Sequence, residues 1–260
     1  MQSVAIVIPC FNEETRLPQE EFYLFARQHK GVDFIFVNDC STDGTARVID
    51  TLCSKIPQQC MALHLPINLG KSGAVREGFI KAFAGDYAAI GFWDADLATP
   101  LPAIIKFSAL LADSQLTMVI GSRVRLLNRH IERRSGRHYL GRVFATMASV
   151  VLGLTVYDTQ CGAKLFANNT LLRQVFVKPF TVNWIFDVEI LARYQLLIRN
   201  QGGEPLTVSA CEYPLEQWHD VPGSKLRAKD FIVAVYEIIK IWDALHGPGR
   251  KAYYKRISNR

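Results

Sequence analysis

Residues 88–96 read "AAIGFWDAD", and they carry the decision about the fold. An apolar run of strand length arrives at two aspartates one residue apart. Continuous apolar runs of this length suit strands buried on both faces, as in a parallel sheet. Four more such runs stand along the chain: "VAIVIP" at 4–9, "DFIFVND" at 33–39, "MALHLPI" at 61–67 and "LTMVIGSR" at 116–123. Helical patterns separate them. Residues 41–56 place Ala46, Ile49, Leu52 and Cys53 at helical spacing, with Ser41 or Thr42 as the expected N-cap. Residues 72–85 are expected to run from Ser72 to a C-cap at Gly85, and residues 99–113 keep their prolines in the opening turn. Strand alternating with helix predicts an α/β fold: a Rossmann-like, open, mostly parallel sheet with right-handed crossovers and helices on both faces.

The rest of the chain is less regular. A basic loop at 123–142 leads into an apolar helix near 139–154 and then a segment "YDTQCGAKLF" at 157–166. An amphipathic helix at 184–200, a strand-like stretch at 205–218 and a helix at 229–245 follow, before a basic tail. No repeat and no low-complexity linker interrupts it. The expectation is one domain over 1–245, in halves 1–125 and 126–245, with interfacial helices toward the C-terminus and a tail at 246–260.

Composition narrows the partners. The chain has 260 residues, 49% of them hydrophobic, and 30 Lys and Arg against 24 Asp and Glu give a formal charge of +6. That balance favours anionic ligands: nucleotides, phosphates or an acidic membrane. Nucleic acid is not expected, because the basic residues cluster in loops and no aromatic stacking platform accompanies them. The six cysteines form no C-x-x-C pair and read as reduced, cytosolic thiols. No signal peptide is seen, and the longest uncharged apolar stretch, 143–157, has 15 residues. A bilayer span needs about 20.

Ligands of open α/β sheets bind beyond the carboxyl ends of the strands. Three expected strand ends there are polar: Asn12, Glu13 and Glu14; Asn38, Asp39 and Asp43; Asp94 and Asp96. If the strand continues through Asp96, both of its aspartates face one side. Two hard oxygen donors suit Mg²⁺ or Mn²⁺, and Mg²⁺ commonly adds substrate phosphates and water to one or two carboxylates. A divalent cation holding a diphosphate is therefore expected. The segment "NLGKSGAV" at 68–75 is no P-loop, since the glycine that motif needs falls on Leu65. Lys71 still stands at a helix start that can meet an anion.

The segments "IVIPCFNEE", "VNDCSTDGT", "NLGKSGAV" and "DAD", in this order, resemble the family-two glycosyltransferases with the GT-A fold. "GSRV", "RRSGR", "YDTQCGAKLF", "FDVEIL" and "WHDVPGSKL" resemble the dolichyl-phosphate β-glucosyltransferases and their polyprenyl-phosphate relatives. The resemblance implies inverting transfer of a hexose, glucose from UDP-glucose as first choice, to a polyprenyl or dolichyl phosphate. It implies that Pro9, Asn12, Glu14 and Asp39 line the nucleotide, with Lys71 and Asp94 beside its phosphates. Asp94 and Asp96 would hold Mg²⁺ or Mn²⁺. Arg123 and Arg137, with Arg134 in second rank, would meet the acceptor phosphate. Mannosyl members often carry a third polar residue where Ala98 stands, so no third ligand is offered here.

A lipid monophosphate has its second pKa at about 6, so its attacking oxygen is already mostly anionic at neutral pH. A general base is then optional, and Asp187 is expected to be structural or orienting. The seven arginines of residues 123–142 read as a landing site for anionic lipid headgroups, with Phe144, Met147, Val151 and Leu154 turned to the lipid. The expected location is peripheral, on the cytoplasmic face of a membrane, with homo-oligomerisation left open. The rival readings are transfer to a hydroxyl of a glycan or lipid, a GDP-mannose donor, and a non-catalytic sugar-nucleotide-binding protein. A sugar nucleotidyltransferase is set aside, since "PCFNEE" is not the Gly- and Arg-rich loop it would need.

Overall fold

The computed structural model describes residues 3–113, 115–127, 129–132, 135–219, 221 and 228–258. In chain order the elements are β1 (Val4–Cys10), α1 (Gln19–Gln28), β2 (Val32–Asn38), α2 (Thr45–Lys55), β3 (Cys60–His64), α3 (Gly70–Ala82), β4 (Ala89–Trp93), α4 (Pro102–Asp113), β5 (Met118–Ser122) and β6 (His130–Glu132). Then come α5 (Ser135–Leu152), β7 (Ala163–Ala167), α6 (Thr170–Val177), α7 (Phe186–Gln201), α8 (Leu206–Ser209), β8 (Ala210–Pro214), β9 (Gln217–His219), α9 (Ala228–His246) and α10 (Arg250–Ile257). Seven strands hydrogen-bond in the order β3-β2-β1-β4-β7-β5-β8, and β6 pairs with β9. The chain divides into two compact units, residues 1–119 with 162–168, and residues 120–161 with 169–260.

The first unit is built on β1. It pairs in parallel with β2 from Val4↔Val32 to Cys10↔Asn38, and with β4 from Val4↔Ala89 to Val7↔Phe92. Strand side chains alternate faces, and the partners follow that alternation. Phe34 and Phe36 of β2 meet Phe22 of α1 edge-on, at 5.2 and 5.0 Å between centroids. On the opposite face, Val37 of β2 and Val7 of β1 lie against Gly78 of α3. In β4, Phe92 meets Phe79 of α3 at 6.4 Å, whereas Trp93 meets Phe107 of α4 at 5.4 Å. Helices therefore cover both faces, as the continuous apolar runs require.

The expected elements differ from the structure at their ends, and several were missed, α6, β6 and α10 among them. Strand β4 stops at Trp93, so Asp94 and Asp96 do not continue it. Instead Leu97 N–H bonds the Asp94 carbonyl at 3.2 Å, Leu97 takes a left-handed φ of 51°, and the buried Trp93 indole donates to the Thr99 carbonyl at 2.8 Å. The aspartates thus occupy a turn. Helix α2 begins at Thr45 after Gly44, not at Ser41 or Thr42, because Asp43 Oδ1 accepts the Thr45 amide at 3.0 Å. Helix α3 begins at Gly70 and ends at Ala82, before Gly85. Helix α1, with Phe22, Phe25 and Ala26 on its buried face, was unforeseen. So was β7, the antiparallel neighbour of β4 from Ala89↔Ala167 to Trp93↔Ala163. Cys53 and Cys60 form a disulfide, contrary to the expected reduced thiols, since the short connection from α2 into β3 brings their Cα atoms to 4.8 Å.

The second unit gathers its helices around α7. That helix is not amphipathic: Asp187, Glu189 and Arg193 are buried with its apolar residues. Burial of charge is tolerated when every polar atom is paired. Arg193, 0% exposed, bonds Glu189 Oε1 at 2.7 Å and the carbonyls of Val175, Lys178 and Pro179. Glu189 also accepts the amides of Thr181 and Val182, and Glu237 of α9 accepts those of Asn183, Trp184 and Ile185. The expected lipid-facing set fails in part for the same reason of packing: Phe144 and Leu154 are buried, while Val143 and Val150 are exposed apolar residues among the described side chains of α5. The basic tail is helical over α10. Among the described residues, no helix is long and apolar enough to cross a membrane.

Gly78 tests the packing of α3 on the sheet. A Cβ there would fall 2.2 Å from Val7 Cγ1 and 3.0 Å from Val37 Cγ2. Overpacking a core costs about 1–3 kcal/mol. Gly78→Ala is expected to lower the unfolding free energy by that amount, read as a lower urea midpoint with the slope unchanged.

Candidate functional site

The loops after β1 and β2 are tied together side chain by side chain. Asn12, left-handed at φ 53°, accepts the Thr42 amide on Oδ1 at 2.9 Å, and its own amide donates to Ser41 Oγ at 3.0 Å. Glu14 Oε2 accepts the Gly44 amide at 3.0 Å, and Oε1 pairs with Arg47 at 3.0 Å. This contact needs glycine at 44, since a Cβ would sit 2.1 Å from Glu14 Oε1. Asp39 is buried after β2, where Oδ1 accepts the Leu69 amide at 2.7 Å and its carbonyl accepts from Asn68 Nδ2 at 3.0 Å. Burial pushes the Asp39 carboxyl above its ordinary value, and the amides of Leu69 and Gly70 pull it back. The structure therefore brings Asn12 and Glu14 onto the 41–47 loop and Asp39 onto the start of α3. Pro9 is in β1.

Asp39 thereby anchors the turn that carries Lys71. From the first turn of α3, Lys71 Nζ reaches Asp94 Oδ1 at 2.5 Å. Asp94 follows β4, and its amide bonds the Gly162 carbonyl at 3.0 Å. Gly162 also leaves room for the carboxylate: a Cβ there would lie 1.8 Å from Asp94 Oδ2. Asp96, on the far side of the turn, accepts the Ala98 amide on Oδ1 at 3.2 Å and Arg16 Nη2 on Oδ2 at 2.8 Å. Burial first, then the Asp94 charge, push the Asp96 carboxyl up; the Ala98 amide, Arg16 and Lys71 oppose them. Each aspartate thus has its own cation from the chain. Ala98, the position without a third side-chain ligand, contributes its backbone amide instead.

In the second unit Arg123 follows β5 and is held by Asp158, with Nε to Oδ2 at 2.6 Å and Nη2 to Oδ1 at 2.8 Å. Asp158 is held in turn: Glu212 of β8 accepts the amides of Tyr157 and Asp158 at 2.8 and 2.6 Å. The Arg123 guanidinium lies 5.4 Å from the Trp218 ring centroid. Arg134 lies outside the described residues, and Arg137 lies in α5 with its side chain outside them. Asp187 is buried in the first turn of α7, where the helix end favours a negative charge.

Sequence reasoning missed Arg16, Gly162, Asp158 and Glu212. Arg16 had a signal, as a lone cation after the acidic cluster that ends the first strand. Asp158 and Gly162 were in the quoted segment "YDTQCGAKLF" without a role. Glu212 had none, because its use is to satisfy amides 54 and 55 residues away.

The glycosyl transferase family 2 model matches residues 5–170, which span the β1, β2 and β4 strand ends. The chain belongs to that family. It is 32% identical over 258 residues to the dolichyl-phosphate beta-glucosyltransferase of Saccharomyces cerevisiae, covering 88% of this chain and 73% of that protein. It is 32% identical over 247 residues to the dolichyl-phosphate beta-glucosyltransferase of Drosophila melanogaster, covering 86% of this chain and 69% of that protein. A crystal structure of Mycobacterium tuberculosis glucosyl-3-phosphoglycerate synthase in complex with Mn²⁺ and UDP-glucose superposes with a TM-score of 0.63 at 18% identity, over 95% of this chain and 79% of that one. That likeness establishes the fold as the GT-A fold. The family makes the chain a glycosyltransferase.

Gly162 gives a direct test of the Asp94 position. Gly162→Ala forces the Asp94 carboxylate to move, and misplacing a reacting group by about 1 Å can cost on the order of 10²-fold in rate. Sugar transfer is expected to fall by that factor while the circular dichroism spectrum stays that of the parent. Undiminished transfer would show that Asp94 is not used where it stands.

Proposed function

We propose that this chain transfers glucose, with inversion, from UDP-glucose to a dolichyl or other polyprenyl phosphate. The observation that carries this reading is its likeness to dolichyl-phosphate beta-glucosyltransferases along 86–88% of its length. The reading includes action at the cytoplasmic face of a membrane, since its acceptor carries a lipid tail.

The residues of the first unit fit a divalent cation. Asp94 and Asp96 offer hard carboxylate oxygens, and the bare Cα of Gly162 makes a cradle for Asp94 that a Cβ would fill. Among the described residues no group of three or more His, Cys, Asp or Glu gathers as a metal cluster. The remaining ligands would then come from the diphosphate and water, the usual arrangement for Mg²⁺. A protein of the same fold binds Mn²⁺ with UDP-glucose. When bound, the ion supplies positive charge at the leaving diphosphate. Lys71 adds a second charge there from α3, and the Asp39 carboxylate holds the loop that aims it. Pro9, Asn12 and Glu14 are assigned to the nucleotide side.

At the acceptor, the requirement is to hold an anion. Arg123, with its plane set by Asp158 and Trp218, is assigned to the acceptor phosphate together with Arg137 and Arg134. A phosphate that is already ionised needs no base, so Asp187 stays in its structural place in α7. The seven arginines of residues 123–142 and the cationic α10 support attraction to an anionic lipid surface.

Incubation with labelled nucleotide sugars, polyprenyl phosphate and Mg²⁺ or Mn²⁺, then lipid extraction, is expected to carry label from UDP-glucose into the lipid. Chelation of the metal is expected to abolish it, and Asp94→Asn or Asp96→Asn to reduce it by about 10²-fold or more. Label taken only from GDP-mannose would replace the donor, and no label from any donor would overturn the reading. Flotation with anionic liposomes is expected to lift the protein at low salt and release it at high salt. Protein left at the bottom at low salt would remove the membrane surface from the proposal.

A further inference from the structure

Arg16 is the residue whose position the reaction as proposed does not explain. It stands in the turn after β1, where its amide bonds the Glu13 carbonyl at 3.0 Å. Its side chain crosses to a residue 80 positions later, placing Nη2 2.8 Å from Asp96 Oδ2. The other Asp96 oxygen accepts the Ala98 amide. Both oxygens of this carboxylate are therefore engaged, one of them by a full positive charge. Arg16 also has a second acidic neighbour, since its Nε lies 3.5 Å from Glu13 Oε2. That nitrogen is buried and has no hydrogen-bond partner among the described residues.

We propose that Arg16 is the counter-ion of Asp96 in the metal-free protein, and that it competes with the divalent cation for that carboxylate. This rests on the reading of Asp94 and Asp96 as metal ligands. A cation arriving at Asp96 meets a guanidinium already bonded to one oxygen, so it must share that oxygen or displace the arginine. Like charges a few ångströms apart repel, and the effect survives partial exposure at reduced strength. Glu13 gives the displaced guanidinium a place to go, so the exchange needs no long movement. Arg16 thereby offsets the repulsion between Asp94 and Asp96 before the metal comes, at the expense of affinity for the bare ion. It is a positioning residue, acting on the metal only through Asp96.

The test is Mn²⁺ binding without nucleotide, read from the electron paramagnetic resonance signal of free Mn²⁺ rather than from turnover. Arg16→Gln is expected to bind Mn²⁺ about tenfold more tightly than the parent, a change in keeping with loss of one nearby positive charge. Arg16→Lys, which keeps the charge, is expected to stay within about threefold of the parent. Glu13→Gln removes the alternative partner, leaves Arg16 on Asp96, and is expected to bind Mn²⁺ more weakly. A purely structural role for Arg16 would lower the melting temperature without producing this pattern. Unchanged or weaker binding by Arg16→Gln, or equal binding by the Gln and Lys variants, overturns the proposal. Tighter binding by Glu13→Gln overturns it as well, and that variant serves should Arg16→Gln not fold. Mn²⁺ uptake by the parent with UDP, but no gain in Arg16→Gln, sinks this inference alone. No uptake by any variant, with or without UDP, sinks the metal reading and this inference together.

Discussion

Asp94 and Asp96 sit in a single turn at the end of a buried strand, and their mutual repulsion has to be offset for that turn to exist. The chain does so with two cations from different places: Lys71 on Asp94 and Arg16 on Asp96. Much of the first unit's local architecture serves that arrangement. Asp39 grips the amide of Leu69 so that α3 starts where Lys71 can reach. Leu97 accepts a left-handed backbone, and the Trp93 indole is spent on the Thr99 carbonyl, so that the chain reverses after Asp94. Interactions between charges a few ångströms apart change steeply with distance, which is why so many neutral contacts are used to fix a few charged ones.

Glycine does related work by absence of a side chain. Gly44 allows Glu14 to cap the start of α2, Gly78 allows α3 to lie on β1 and β2, and Gly162 allows Asp94 its place. None of these three has a positive φ, so the need is for space and not for conformational freedom. Such positions have no signature in composition or periodicity. They become visible only when another element is brought against them.

The second unit shows how buried charge can be used for scaffolding. Arg193 and Glu189 are both nearly inaccessible, yet between them they satisfy carbonyls and amides of residues 175–182. Glu237 does the same for residues 183–185 from another helix. A buried ion pair is no strong source of stability by itself. Its value here is that it satisfies the backbone at the end of α6 and in the irregular segment after it, which would otherwise leave polar groups unpaired in the core. The Arg123–Asp158–Glu212 chain repeats the device, with a carboxylate in β8 fixing a loop and the loop fixing an arginine.

The order of the apolar runs was enough, by itself, to determine the open α/β sheet and its helices on two faces, because a strand buried on both sides has to be apolar on both. The polar residues after those runs were equally legible: Asn12, Asp39 and Asp94 follow strand ends, and Lys71 stands at a helix start. Periodicity could not find β7, whose five residues run antiparallel and include a buried lysine, nor the burial of α7, whose charges look solvated until their partners are known. The i, i+2 argument for Asp94 and Asp96 depended on the strand continuing through Asp96, and a strand end is set by the contacts of the turn after it. What only the tertiary structure decided was which cation each carboxylate meets. Lys71 and Asp94 are 23 residues apart and Arg16 and Asp96 are 80 apart, and pairings of that range follow from the order of strands in the sheet, which no local pattern encodes.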